Sequence, residues 1–209
     1  MSHSTLFTDC PIVPVVTIAD AAHAAPLAEV LLAAGIGAME ITLRTEAAID
    51  AIRSASQVPG ILVGAGSIRR VDQLVSAADA GARFCVSPGA TPALCDKAAE
   101  IDLPFVPGVA TASDCLVLME RGYELVKFFP AEVNGGVAAI KALAAPMPEL
   151  RFFPTGGINA LNVKDYLSLE AVTCVGGSWF VPGDALAAGD FLRIEQLAAE
   201  AMADVQGVC

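Results

Sequence analysis

Histidine and lysine are scarce in this chain, which has two of the first (His3, His23) and four of the second (Lys97, Lys127, Lys141, Lys164). Neither histidine sits at the end of an apolar run, so a histidine-ligated metal is not expected. Positive charge is also short: 12 Lys and Arg stand against 23 Asp and Glu, a net charge of −11. That excludes a nucleic-acid partner, since phosphate backbones are neutralised by clustered basic side chains. No window holds the roughly 20 apolar residues of a membrane span, so no membrane is expected. The opening "MSHSTLFTDCP" lacks a basic stretch followed by an apolar one, and cytoplasmic localisation is the expectation. The six cysteines (10, 85, 95, 115, 174, 209) show no C-x-x-C spacing and read as small core residues in a reducing compartment.

What is abundant is alanine, valine and leucine: 55% of the 209 residues are hydrophobic and only 6% aromatic. This fits one α/β domain spanning 1–209 around a single sizeable core. Short β-branched or aromatic runs recur at 12–18, 38–43, 61–66, 84–89, 104–109, 125–130, 151–156 and 171–176. Between them lie amphipathic segments such as "AAPLAEVLLAAG", "EAAIDAIRSAS", "VDQLVSAADAG" and "LNVKDYLSL". Gly35 and Gly81 fall where helix C-caps belong, and Ser113 or Asp114 could cap the helix after the fifth strand. Strict alternation implies parallel strands, and eight units point to a (β/α)8 TIM barrel with a short N-terminal helix closing its lower end. An open doubly wound sheet is the competitor. It lacks support, because "ADAAHAAP" follows the first strand in place of a G-x-G-x-x-G turn.

Against this background "LVKFFPAE" (125–132) stands out, because Lys127 interrupts an apolar run that reads as a buried strand. In "MEITLR" the polar residues Glu40, Thr42 and Arg44 alternate with apolar ones, so period two puts all three on one face. A buried lysine beside a cation such as Arg44 would be held neutral more readily, and a neutral amine attacks a ketone to form a Schiff base. Glu40 could then move protons, and the planar fork of Arg44 suits a carboxylate. The bland alternatives are a structural Lys127–Glu40 ion pair and a solvent-facing stripe. "PTGGIN" (154–159) and "GGSWF" (176–180) follow strands seven and eight, where such barrels commonly bind phosphate. Glycine lets backbone N–H groups approach an anion, and a helix starting near Asn159 would add its positive end.

These strings resemble the KDPG/KHG aldolase family, the 2-keto-3-deoxy-6-phosphogluconate aldolases of the Entner–Doudoroff pathway. The resemblance runs through nearly the whole chain and is carried by "EITLRTEAAIDAIR", "VGAGS", "FCVSPG", "VPGVAT", "VKFFPAE", "FFPTGGI" and "GGSWFVP". It implies a class I aldolase yielding pyruvate and glyceraldehyde 3-phosphate, with a covalent imine in place of any cofactor or metal. It implies Lys127 as the Schiff-base lysine and Glu40 as the acid/base. Arg44 and the Ser67 hydroxyl would hold the pyruvate carboxylate, and Thr155, Gly156, Gly157, Gly177 and Ser178 would surround the phosphate. Thr42 and Pro88, inside the matched strings, complete the substrate-binding set. A homotrimer is implied as well. The family commonly has threonine where this chain has Ser67, so the hydroxyl is kept and a looser fit is expected.

Other functions remain open at this level. A metal-dependent aldolase, a phosphosugar isomerase or epimerase in which Lys127 only neutralises charge, and a non-catalytic phosphosugar binder share parts of the pattern. Within the aldolase reading, 4-hydroxy-2-oxoglutarate and the galactonate epimer share the pyruvate half with the gluconate substrate.

Overall fold

The computed structural model describes residues 6–7 and 10–207. Strands and helices alternate as β1 Ile12–Val16, α1 Ala24–Ala33, β2 Ala38–Thr42, α2 Ala48–Ala55, β3 Leu62–Gly66, α3 Val71–Asp79, β4 Phe84–Val86 and α4 Pro92–Glu100. The second half continues with β5 Phe105–Val106, β6 Gly108–Val109, α5 Ala112–Met119, β7 Leu125–Phe128, α6 Gly136–Ala144, β8 Arg151–Pro154, α7 Val163–Leu167, β9 Val175–Gly177, α8 Gly183–Ala188 and α9 Phe191–Val205. Every strand pair is parallel. The strands form a curled sheet in two arcs, ordered β5-β4-β3-β2-β1-β9 and β6-β7-β8.

The fifth expected strand, 104–109, is interrupted between the arcs at Pro107. Proline has no N–H to donate to a ladder, but its carbonyl still accepts from Lys127 N at 2.9 Å. At the other junction, isolated bridges join Phe152 to Val172 and Thr155 to Gly176. The eighth expected strand therefore begins as single bridges and becomes regular only at Val175, because Val172 N is turned back onto Leu169 O.

Strands β2 and β7 are buried along their whole length, as expected of parallel strands covered on both faces. The buried apolar side chains form one cluster. Within the sheet, Phe84 lies where a Cβ on Gly64 would stand, 2.2 Å from its ring atoms. Phe7 seals this region from below, its ring centroid 5.0 Å from that of Phe84 and 5.3 Å from that of Phe153. The helix expected ahead of β1 falls largely outside the described residues, and Leu6 and Phe7 form a turn.

Gly35 and Gly81 take φ of +84° and +98° just past α1 and α3, as their C-cap reading requires. The cap of α5 is neither Ser113 nor Asp114 but Thr111. Its hydroxyl accepts from Asp114 N, while the Asp114 carboxylate accepts from Thr111 N. Likewise the helix after β8 starts not near Asn159 but at Val163, behind a turn held by Asn159 and Asn162 side chains. With five residues, α7 brings little helix dipole to the loop before it.

Candidate active site

Lys127 on β7 and Glu40 on β2 meet inside the curled sheet although 87 positions separate them. Nζ donates to Oε1 at 3.2 Å and to Oε2 at 3.3 Å. Their strands belong to different arcs and are not neighbours, so both side chains must reach across the interior. The pair is almost fully enclosed, with Lys127 4% and Glu40 0% exposed. The aromatic faces of Phe129 and Phe153 lie 5.5 and 5.8 Å from Nζ and add cation–π attraction. Desolvation makes a buried ion pair weak evidence for stability, so its place here asks for another reason.

Small neighbours make room for it. Lys127 is paired across the ladders with Gly108 and Phe153, and Glu40 with Val15 and Gly64. A Cβ on Gly66 would lie 2.0 Å from Glu40 Oε1, so only glycine permits this carboxylate position. Gly108 is equally confined, since its Cβ would meet the Pro88 carbonyl carbon at 2.3 Å. Gly66 and Gly108 were visible in the sequence as parts of glycine-rich strand ends, but nothing local distinguished them from turn glycines. Burial pushes the Cys85 thiol up to about 12, helped by the charge of Glu40, although its register with Ala65 and Ile41 puts it on the opposite face of the sheet.

The remaining predicted residues sort by position. Strand β2 ends at Thr42, so the expected alternation does not carry Arg44 into the interior beside Lys127. Arg44 lies in the following turn, exposed, and its Nε donates to Ser67 Oγ at 3.1 Å. Ser67 has φ of +60°, a left-handed conformation in which a β-branched residue is more strained than serine. The Thr42 hydroxyl bonds Val16 O at 2.9 Å and Thr17 Oγ1 at 2.8 Å, which makes it a brace between β1 and β2. Pro88 is exposed beyond β4.

The loops after β8 and β9 converge. Gly156 and Gly157 take φ of +102° and +83°, values that favour glycine. Thr155 bridges to Gly176, and its buried hydroxyl has no hydrogen-bond partner among the described residues. Ser178 is exposed, and the ring of the neighbouring Trp179 covers Gly177 so closely that a Cβ there would lie 2.0 Å from it. A cavity of about 740 Å³ lined by Arg83, Leu103, Arg121 and Tyr123 opens among segments that precede the strands, and none of the predicted site residues lines it.

The KDPG and KHG aldolase family model matches residues 4–197. This chain belongs to the KDPG and KHG aldolase family. It is 48% identical over 202 residues to the KHG/KDPG aldolase of Escherichia coli (strain K12), covering 96% of this chain and 95% of that one. Among solved structures it resembles the KDPG aldolase of Legionella pneumophila with pyruvate captured at low pH as a covalent carbinolamine (TM-score 0.92, 39% identity, 96% and 98% of the chains). It also resembles the 2-keto-3-deoxy-6-phosphogluconate aldolase of Zymomonas mobilis ZM4 with 3-phosphoglycerate (TM-score 0.92, 40% identity, 99% and 97%).

Among the described residues no group of three or more His, Cys, Asp and Glu could hold a metal; His3 lies outside them. Nor is any described helix long and apolar enough to cross a membrane. Cys10, Cys85, Cys95, Cys115 and Cys174 are buried, as expected of core residues, and Cys209 lies outside the described residues.

Proposed function

We propose that this protein is a class I aldolase that cleaves 2-keto-3-deoxy-6-phosphogluconate to pyruvate and glyceraldehyde 3-phosphate, and 4-hydroxy-2-oxoglutarate to pyruvate and glyoxylate. The observation that carries the reading is the enclosed Lys127–Glu40 pair, in a family one of whose members holds pyruvate as a covalent carbinolamine. Lys127 gives its proton to Glu40 and attacks the substrate C2 ketone. Glu40 returns that proton to the carbinolamine hydroxyl, which leaves as water and gives an iminium. Glu40 removes the C4 hydroxyl proton, the C3–C4 bond breaks, and the aldehyde departs as the electron pair moves into an enamine. Protonation of C3 and hydrolysis of the imine release pyruvate and restore the amine. Arg44 and Ser67 hold the pyruvate carboxylate, with Thr42 bracing the strand end; the Arg44–Ser67 hydrogen bond supports this assignment. Thr155, Gly156, Gly157, Gly177 and Ser178 take the distal phosphate, and Pro88 lines the mouth; the unpartnered Thr155 hydroxyl supports this assignment.

The same proposal includes one domain over 1–209 in which the eight units close as a (β/α)8 barrel. The bridges between β8 and the β9 segment, and the hydrogen bond from Lys127 N to Pro107 O beside the break between β5 and β6, support closure. The reaction needs no metal, the free buried thiols of Cys85, Cys95 and Cys115 suit the cytoplasm, and exposed Val133 (83%) and Leu161 (95%) offer apolar surface to a homotrimer. Treatment with pyruvate and borohydride followed by peptide mapping tests the central claim. Reduced adduct on Lys127 supports it, and adduct on Lys97, Lys141 or Lys164 alone, or none, overturns it.

A further inference from the structure

The strand that carries the lysine and the strand that carries the glycine loop leave the sheet side by side, and their exits are tied together. Ala131 N donates to Thr155 O at 2.8 Å, and Glu132 N donates to Gly156 O at 3.1 Å. The Glu132 stem then runs beneath Gly157, whose Cβ would stand 2.6 Å from Glu132 Cγ and 2.7 Å from its Cβ. The stem thus packs flat on the loop backbone. The Glu132 carboxylate accepts a hydrogen bond from the hydroxyl of Tyr166, on the helix that follows the loop. Tyr166 is 0% exposed, and burial together with Glu132 raises its pKa well above the ordinary tyrosine value, so the phenol stays a donor.

The loop 155–157 is therefore held from two sides. Backbone bonds anchor it to the exit of β7, and Tyr166, through Glu132, anchors α7 to the same exit. Two glycines in left-handed conformations give that loop many alternatives when it is not held. Nothing in this arrangement touches Lys127 or Glu40.

We propose that Glu132 and Tyr166 are positioning residues that hold the Thr155–Gly157 loop in the shape that receives a phosphate, and so set the preference for a phosphorylated substrate over an unphosphorylated keto acid. This rests on the aldolase reading above. A clamp of this kind acts on binding at the far end of the substrate and leaves imine formation alone.

The test compares Tyr166→Phe, Glu132→Ala and Glu132→Gln with the wild type. Steady-state kinetics on 2-keto-3-deoxy-6-phosphogluconate and on 4-hydroxy-2-oxoglutarate are combined with titration by inorganic phosphate, read from the fluorescence of Trp179, the chain's one tryptophan. Tyr166→Phe and Glu132→Ala should raise KM for the phosphorylated substrate and the phosphate Kd about 3- to 10-fold, with kcat within about twofold. KM for the unphosphorylated substrate should not move. Glu132→Gln keeps the stem and an acceptor oxygen, so it should recover most of what Glu132→Ala loses. Equal losses on both substrates, no loss on either, or Glu132→Gln as impaired as Glu132→Ala would overturn the proposal. Should Tyr166→Phe fail to fold, the Ala and Gln pair at Glu132 decides on the same readings. Pyruvate–borohydride labelling of the wild type separates the two levels. Without label on Lys127 the aldolase reading fails, whereas label with unmoved selectivity removes the clamp alone.

Discussion

Glu40 Oε1 lies 2.0 Å from the point where a methyl group on Gly66 would stand. Thr42 and Gly66 are ladder partners on adjacent strands, so the carboxylate leans across the space that β3 leaves open. Gly66→Ala should therefore expel Glu40 from its place beside Lys127. A misplacement of about 1 Å in such a group costs on the order of 10²-fold in rate. We expect kcat to fall by about that factor with a smaller change in KM, measured by coupled assay. Unchanged kcat would show that Glu40 does not act from the position described.

The ion pair itself separates stability from chemistry. Glu40→Gln leaves an ammonium enclosed without its counter-charge, which should cost about 3 kcal/mol of folding free energy and lower kcat about 10²–10⁴-fold. Adding Lys127→Met should return most of the stability and none of the activity. Denaturant melts read the first effect and turnover the second. A purely structural pair would show the stability pattern with Glu40→Gln still near full activity.

How much of this was legible beforehand depended on the range of the signal. The alternation of strands and helices, and the oddity of Lys127 in an apolar run, are local and survived. The reach of Glu40 to Lys127 needed only the parity of two buried strands. Arg44 leaves the face shared by Glu40 and Thr42 because parity holds only while the strand lasts, and β2 stops at Thr42, where Arg44 N turns back onto Thr42 O. Pro107 sat in plain view inside an expected strand, yet that it would part β5 from β6 depended on which N–H the ladder needed. The roles of Gly66, Glu132 and Tyr166 come from contacts between segments far apart in sequence, and no periodicity carries those.

Alkaline pH offers a test that does not involve substrate. Cys85 titrates at about 12 in the folded protein against an ordinary 9.0, because burial opposes the thiolate. Between those values the unfolded chain has lost the proton and the folded one keeps it. Stability from this group is thus full below about pH 9 and declines as pH rises, by up to ~1.4 kcal/mol per unit. Cys115, pushed up to about 11, acts in the same direction. Thermal melts from pH 8 to pH 11 should show a falling limb that is shallower in Cys85→Ala. Parallel limbs would mean the thiol is not shielded as described.

Imine chemistry carries an expectation about metals. Activity should be unchanged after exhaustive EDTA treatment, since Lys127 supplies the electron sink that a metal-dependent aldolase draws from its ion. A reversible loss restored by zinc or magnesium would contradict the mechanism.

The phosphate assignment can be tested where stability and function pull in opposite directions. The Thr155 hydroxyl is buried without a partner among the described residues, a condition that costs a fold about 1–3 kcal/mol. Thr155→Val keeps the shape and removes that hydroxyl, so the melting temperature should stay level or rise. If the hydroxyl serves the substrate phosphate, the same change should lower kcat/KM for 2-keto-3-deoxy-6-phosphogluconate by about 10-fold or more, a charge-assisted hydrogen bond being the stronger kind. Ser178→Ala, across the convergence of the two loops, should act on the same substrate by about 10- to 100-fold. Gly156→Val should act more severely, because φ of +102° strains any side chain and Pro130 Cα lies 3.2 Å from the new Cβ. Cleavage of 4-hydroxy-2-oxoglutarate, which has no phosphate to place there, should hardly change in Thr155→Val or Ser178→Ala. Losses of equal size on both substrates would mean that these loops shape the sheet end rather than bind phosphate, and the smaller keto acid would then be the better substrate assignment.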